Sequence, residues 1–326
     1  MAELSPLEGR LVVVIGTNRS GTSWLRQLLL AHRGICGAAG DISQNCETGL
    51  FGSLASLWRI MLDPSGCWVA ANISPGEVAP YVRRYCDALF LHAMRQSNRP
   101  HADFFVEKTP GDGLNLPWLK LIYPDAWLVR IVRDGRDVAR SMRLRNYGTQ
   151  SDFVNIKYWA RHETLVTHYL RDVPRSVTVR YEKLACDPVR ETCRIYEFLG
   201  LSAYEGLADQ IAARSAIRTA MYTGEVSTGP AKWRADVSRR RLAQMYGSCW
   251  QELASYGYVQ PQDLHAVKWW PEFWLGCARR RLAGLGIGDR RSVWLFKRDS
   301  LLAVNGGGED IDRWRRNRVP RWYMRS

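Results

Sequence analysis

Cysteine pairing is the first thing this sequence lacks. Its eight cysteines stand at 36, 46, 67, 86, 186, 193, 249 and 277; none forms a C-x-x-C pair, and the six histidines do not join them at ligand spacing. That pattern argues against a zinc site or a disulfide framework and fits free thiols in a reducing compartment. Long apolar runs are missing too. No window approaches about 18 uninterrupted apolar residues, so no membrane-spanning helix is expected. The opening "MAELSPLEGRLVVVIG" has no basic start followed by a long apolar core, which argues against a secretory leader and for a cytoplasmic protein. No internal repeat is found. Acidic residues are the scarcer charge: 32 Asp and Glu face 46 Lys and Arg, a net charge of +14. With 46% apolar and 24% charged residues the chain is not compositionally disordered. Its 326 residues suffice for one elaborated α/β domain or for two domains. The positive excess suits an anionic ligand, a nucleic acid or an acidic membrane surface, without choosing among them.

What is present begins with "LVVVIG" (11–16), a short β-branched run ending in glycine, which reads as a buried strand. From Thr22 the spacing of Trp24, Leu25, Leu28 and Leu29 predicts a helix, with Ser20 or Thr22 near its start. Residues 37–49 read as a loop, 53–62 as a helix, and 75–96 as helical with a break at Pro80. Further strands are expected in "ADFFVEKTP" (102–110), "AWLVRIVRD" (126–134) and "RSVTVRYEKLACDP" (175–188). Helices are expected at 114–124, 135–145 and 189–201. This alternation predicts an α/β fold, a P-loop-type parallel sheet flanked by helices. Beyond about residue 203 the strand signals fade and a mostly helical C-terminal part is expected.

Two stretches suggest anion binding. "GTNRSGTSW" (16–24) has the glycine spacing of a nucleoside-triphosphate loop, but Thr22 occupies the position of its lysine and a cation, Arg19, stands inside the loop instead. Such a turn into a helix aims backbone N–H groups at an oxyanion. Without the lysine it is poorly built for triphosphate hydrolysis. Alone, the stretch reads either as an anion cradle or as a tight turn that holds nothing. After the third strand, "IVRDGRDVARSM" puts Arg133 at a strand end and Ser141 two turns into a helix, where they can converge on a second phosphate. The plainer alternative is that Arg133, Asp134, Arg136 and Asp137 form weak surface ion pairs.

Taken together, these strings resemble the sulfotransferases that use 3′-phosphoadenosine 5′-phosphosulfate (PAPS). "RSGTS" (19–23) resembles the family's 5′-phosphosulfate loop, and "RDGRDVARS" (133–141) its 3′-phosphate element. "VRYEKLACDPVRETCRIYEFLGL" is similar to its R-Y-E-D-L segment, and "KWR" (232–234) to its C-terminal K-W element. The resemblance spans roughly residues 10 to 258, and Arg19 together with "EKTP" brings it closer to the tyrosylprotein, carbohydrate and bacterial branch.

The resemblance implies an enzyme, with PAPS as co-substrate and no metal, moving a sulfuryl group to a hydroxyl of a sugar, lipid or phenol by in-line displacement. Arg19, Ser20, Gly21, Thr22 and Ser23 would hold the donor's 5′ end, and Arg19 and Lys108 would stabilise the sulfuryl oxygens. Arg133 and Ser141 would hold the 3′-phosphate, with Tyr181 and Lys232 as adenosine or phosphate contacts. The histidine base of the small-molecule branch is absent, since Pro110 occupies its place. Glu47 is the expected base, with Asp41 and Asp112 as alternatives. Trp24 stands near the adenine position or in the core. The histidines read as structural or surface residues.

The expected domains are 1–260, carrying this chemistry, and 261–326, a Trp- and Arg-rich basic extension. From His265 onward the chain holds 14 Lys and Arg against six Asp and Glu, and six of its 14 tryptophans. That tail would lie on a membrane surface, wrap the domain or a second subunit, or bind a polyanion. The membrane reading makes a glycolipid or lipid-linked acceptor more attractive. Nucleic acid is not an expected partner, and a homo-oligomer stays open. Two other functions compete: a P-loop small-molecule kinase, and a non-catalytic basic protein that binds membrane or nucleic acid.

Overall fold

The structure, a computed structural model, describes residues 7–38, 49–52, 54, 74–145, 148–220 and 231–284. Five strands, β1 (Leu11–Ile15), β2 (Ile35–Gly37), β3 (Phe104–Lys108), β4 (Trp127–Val132) and β5 (Ser176–Arg180), form one sheet. Their order is β2-β3-β1-β4-β5, and every pairing is parallel. The helices are α1 (Thr22–Leu29), α2 (Pro75–Gln96), α3 (Leu116–Ile122), α4 (Gly135–Leu144), α5 (Asp152–Leu170) and α6 (Tyr181–Cys186). They continue with α7 (Pro188–Phe198), α8 (Leu207–Ala220), α9 (Arg239–Ser255), α10 (Pro261–His265) and α11 (Pro271–Gly284).

The unbroken apolar run of β1 follows from burial on both faces of the sheet. Successive side chains alternate between those faces. Leu11, Val13 and Ile15 pack with Phe90 of α2, Leu119 of α3 and Val166 of α5. Val12 and Val14 pack instead with Leu25 and Leu28 of α1 and Ile195 and Tyr196 of α7. A third core joins Val138 of α4 and Trp159 of α5 to Tyr246 of α9 and Phe273 of α11. From β1 the chain passes to one side of the sheet for β2 and β3, then crosses β1 for β4 and β5. The crevice outside the carboxyl ends of β1 and β4 therefore lies where the strand order turns, the usual ligand position in open parallel sheets.

Several elements differ from the sequence reading. The edge strand β2 spans only three residues, too few for periodicity to register. Helix α5, 19 residues long, lies where no helix was expected. Its inward face (Ile156, Trp159, Glu163, Val166, Leu170) nevertheless has regular helical spacing. Helix α2 runs unbroken through Pro80, stabilised at its start by the Ser74–Glu77 capping box. Pro80 removes only the hydrogen bond to the carbonyl of Gly76, an exposed residue whose backbone water can reach. The fourth expected strand ends at Arg180, and Tyr181–Cys186 is helical rather than extended. The helix expected at 53–62 lies outside the described residues except at position 54.

The chain beyond residue 203 is helical where described. Helix α11 packs against α9 through bare backbone: a Cβ on Gly247 would sit 2.0 Å from the Phe273 carbonyl oxygen. Among the described residues no helix is long and apolar enough to cross a membrane, and no His, Cys, Asp and Glu group could hold a metal ion.

Candidate functional site

The loop leaving β1 is pressed against β4, because a Cβ on Gly16 would lie 2.6 Å from the Ile131 carbonyl oxygen. The Ser20 N–H donates to the Thr17 carbonyl at 3.0 Å, closing a turn. Arg19 then takes a left-handed φ of 73° and Gly21 a φ of 105°. A left-handed non-glycine residue costs on the order of 1 kcal/mol, so packing must hold Arg19 in place. Gly21 allows the loop onto Tyr181, whose ring carbon would lie 2.7 Å from a Cβ there. Gly21 is also the residue that caps α1, and it offers no side-chain acceptor to the first turn. The backbone N–H groups of that turn are thus available to an anion. Ser20 Oγ is fully buried with no hydrogen-bond partner among the described residues. An orphaned buried hydroxyl of this kind fits a bound oxyanion. Thr22 is buried and Ser23 half-buried at the helix start.

The segment after β4, the second candidate anion element, folds onto the first. Arg19 Nε donates to Ser141 Oγ at 3.3 Å, and Arg133 Nη1 donates to the Arg19 carbonyl at 3.3 Å. The Arg133 guanidinium lies over the Tyr181 ring, 4.3 Å from its centre. Trp24 is buried edge-on to the same ring, at 5.7 Å. Arg19, Gly21, Arg133, Ser141 and Tyr181, separated by up to 162 positions in the sequence, form one constellation.

Nor are the charges of this segment surface ion pairs. Arg133, Asp134, Arg136 and Asp137 are all at most 8% exposed. Asp134 caps α4 by accepting from the Arg136 N–H, and the Arg136 side chain forks onto its carboxylate. The same guanidinium lies 4.2 Å from the centre of the Trp233 ring. Asp137 accepts from the Trp233 N–H at 2.8 Å. Burial pushes the Asp137 carboxyl up, Arg133 and Lys232 pull it back, and the net shift is upward. The 3₁₀ turn Lys232–Ala235 is in this way fastened to α4, and Lys232 lies within electrostatic reach of the Arg133–Asp137 pair.

Sequence reasoning missed a third group. Thr17 Oγ1 donates to Glu163 Oε1 on α5 and lies 3.1 Å from His162 Nδ1. Glu163 pairs in turn with Arg130, from the middle of β4, at 2.5 Å. Arg130 also donates to Thr167 and to the Tyr256 hydroxyl. Burial pushes the Glu163 carboxyl up, but Arg130, His162 and Thr17 reverse this and hold it at about 2. A charged residue inside the run "WLVRIV" was the available signal, since such a strand residue needs a buried partner.

Lys108 is fully buried at the carboxyl end of β3, opposite Val14 of β1. Beside it, Thr109 donates to Glu107 at 2.8 Å and accepts from the Gly49 N–H at 3.1 Å. Asp112 is fully buried in the 3₁₀ turn Pro110–Asn115. Glu47 and Asp41 lie outside the described residues.

Comparison with known proteins adds a family. The model for the sulfotransferase family matches residues 12–205. A putative protein-tyrosine sulfotransferase of Caenorhabditis briggsae is 26% identical over 198 residues, covering 59% of this chain and 66% of that protein. Protein-tyrosine sulfotransferase 1 of Danio rerio is 25% identical over 197 residues, covering 59% and 53% respectively. The chain thus spans about two thirds of the first relative's length and about half of the second's. Among solved structures, the sulfotransferase domain of the Synechococcus PCC 7002 olefin synthase aligns with a TM-score of 0.47 at 18% identity, covering 77% of this chain and 96% of that one.

Proposed function

Because the chain belongs to the sulfotransferase family, whose model covers residues 12–205, we propose that it transfers a sulfuryl group from PAPS to an acceptor hydroxyl. The observation that carries this reading is the joining of two anion elements by the Arg19–Ser141 and Arg133–Arg19 hydrogen bonds. A donor with phosphate at both ends needs two such elements side by side. The uncapped start of α1 and the orphaned Ser20 hydroxyl fit its 5′ end.

In this reading Arg19, the Ser20 hydroxyl and the N–H groups of residues 21–23 hold the 5′-phosphosulfate, and Arg133, Ser141 and Lys232 hold the 3′-phosphate. Tyr181 supports Arg133 and borders the adenosine. Bound PAPS supplies an activated sulfuryl group; the chain supplies orientation and fixed positive charge where the leaving oxygen becomes negative. Lys108 adds to that charge from β3. Glu47 takes the acceptor proton, with Asp41 and the buried Asp112 as alternatives. A sulfuryl carries less negative charge than a terminal phosphoryl, so neither the lysine replaced by Thr22 nor a Mg²⁺ is needed. That lack of the lysine disfavours the kinase reading.

The names of the relatives make the tyrosine phenol one acceptor class. The exposed tryptophans preceding and within α11 favour a second, a lipid-linked or glycolipid hydroxyl met by a membrane-associated protein. Incubating the full chain with PAPS and a panel of phenolic, sugar, peptide and glycolipid hydroxyls tests the reading. Adenosine 3′,5′-bisphosphate should appear with sulfated acceptor at a rate unchanged by a metal chelator. Chelator-sensitive phosphoryl transfer from ATP, with PAPS left intact, would overturn it.

A further inference from the structure

Helix α11 carries apolar groups on two sides. Phe273 and Gly276 turn toward α9 and are buried there. Trp274 and Leu275 lie outside that contact, 64% and 46% exposed. Trp269 and Trp270, in the turn before α11, are 80% and 36% exposed. Singly exposed apolar residues are ordinary, but three tryptophans and a leucine within seven positions make a patch that needs an occupant.

The frame of that patch carries four cations against three acids. Arg239, Arg240 and Arg241 open α9 and are all exposed. Lys268 Nζ lies 4.9 Å from the centre of the Trp269 ring. The acids nearby are Glu272, which pairs with Arg240 at 2.6 Å, Asp152, 3.6 Å from Arg241, and the exposed Asp263. An open groove of about 770 Å³ separates the start of α9 from α11, with Arg240, Arg241, Trp274 and Leu275 among its walls.

We propose that this face docks on an anionic lipid bilayer. Tryptophan suits the boundary between headgroups and acyl chains, where its ring is dry and its N–H wet. Guanidinium forks beside it match lipid phosphate. Charge separates this occupant from its rivals. Residues 285–326 hold ten Lys and Arg against five Asp and Glu, so the chain that follows α11 is itself basic. A second copy would present the same basic frame to itself. An anionic surface is the occupant that both the tryptophans and the arginines attract, and the basic continuation of the chain reinforces it.

The test uses the full chain and co-sedimentation with vesicles of phosphatidylcholine, alone or mixed with phosphatidylglycerol. Binding should appear with the mixed vesicles only and weaken as salt is raised. The double variant Trp269→Ala/Trp274→Ala should bind at least about tenfold more weakly, through lost apolar contact. Arg240→Gln/Arg241→Gln, changed at exposed positions only, should also bind more weakly and gives a second variant if the first fails to fold. Equal binding to both vesicle types, no binding, or wild-type binding by both variants would overturn the proposal. So would a dimer, seen by light scattering without lipid, that the tryptophan variant dissolves. Since partitioning rather than turnover is read, failure here is distinguishable from failure of the sulfuryl-transfer reading.

Discussion

Replacing Arg133 by alanine is expected to weaken binding of adenosine 3′,5′-bisphosphate about a hundredfold or more, read by calorimetric titration. Truncating one partner of a buried, charge-assisted contact costs about 2–5 kcal/mol, and each 1.4 kcal/mol is about tenfold in affinity. Arg133 is placed for an effect of that size because it is 8% exposed and its charge is held against Tyr181. The Asp137 carboxylate lies 3.7 Å from it, near enough to orient the guanidinium and too far for a tight pair. Truncation would also release the carbonyl of Arg19, so the first anion element should loosen with the second. Ser141→Ala removes a neutral hydroxyl and should cost only about fivefold to tenfold. Arg133→Lys keeps charge without the planar fork and should fall between the two. Equal affinity in Arg133→Ala and the parent would show that Arg133 does not hold the 3′-phosphate.

The other large effect is on stability. Glu163→Ala leaves Arg130 charged, buried and stripped of its carboxylate, and breaking such a pair costs about 3–5 kcal/mol. Glu163→Gln keeps the shape and should cost less, because the amide oxygen can still accept from Arg130 or Thr17. Urea unfolding at neutral pH measures both. The same residue sets an acid limit. Its folded-state carboxyl is held at about 2 against an ordinary 4.5. Its contribution is therefore complete above about pH 4.5 and is lost as the pH falls toward about 2. In Glu163→Gln that part of the acid sensitivity should vanish. Since Thr17 opens the loop proposed to hold the donor and donates to Glu163, the glutamine variant should also bind the bisphosphate more weakly. An acid limb and affinity identical to the parent would show that Glu163 neither stabilises the fold nor sets the loop.

Much of this architecture can be read from local sequence. "LVVVIG" is a strand buried on both faces, and its uninterrupted apolar run says so. The glycines at 16 and 21 mark a tight exit from β1, and both prove to be positions where a Cβ would strike β4 or Tyr181. The pairing of Arg19 with Ser141 was not readable from spacing alone, because a contact across 122 positions depends on β1 and β4 being neighbours. Resemblance to a family assigned the two residues to opposite ends of one donor, not to contact with each other. The Thr17–Glu163–Arg130 network escaped for a different reason. Its helix, α5, buries Asp152, Asn155, His162 and Glu163 among its apolar residues, which masks the hydrophobic period although the inward positions keep helical spacing. Arg130 was hidden inside an apolar strand, although a lone charge there implies a buried counter-charge. The Arg136–Trp233 stack likewise depends on two segments that only the fold brings together. Pro80 shows the opposite error, a strong local signal overridden where a capped first turn and an exposed carbonyl absorb the lost hydrogen bond.

Sulfuryl-donor binding is decided by calorimetric titration of the full chain with adenosine 3′,5′-bisphosphate in the absence of Mg²⁺, beside ATP with Mg²⁺. The bisphosphate is expected to bind in the range of about 1–10 μM, on the order of −7 to −8 kcal/mol, with ATP much weaker and unaided by the metal. No binding of the bisphosphate, or tighter Mg²⁺-dependent binding of ATP, would contradict sulfuryl transfer and favour phosphoryl transfer on the same sheet.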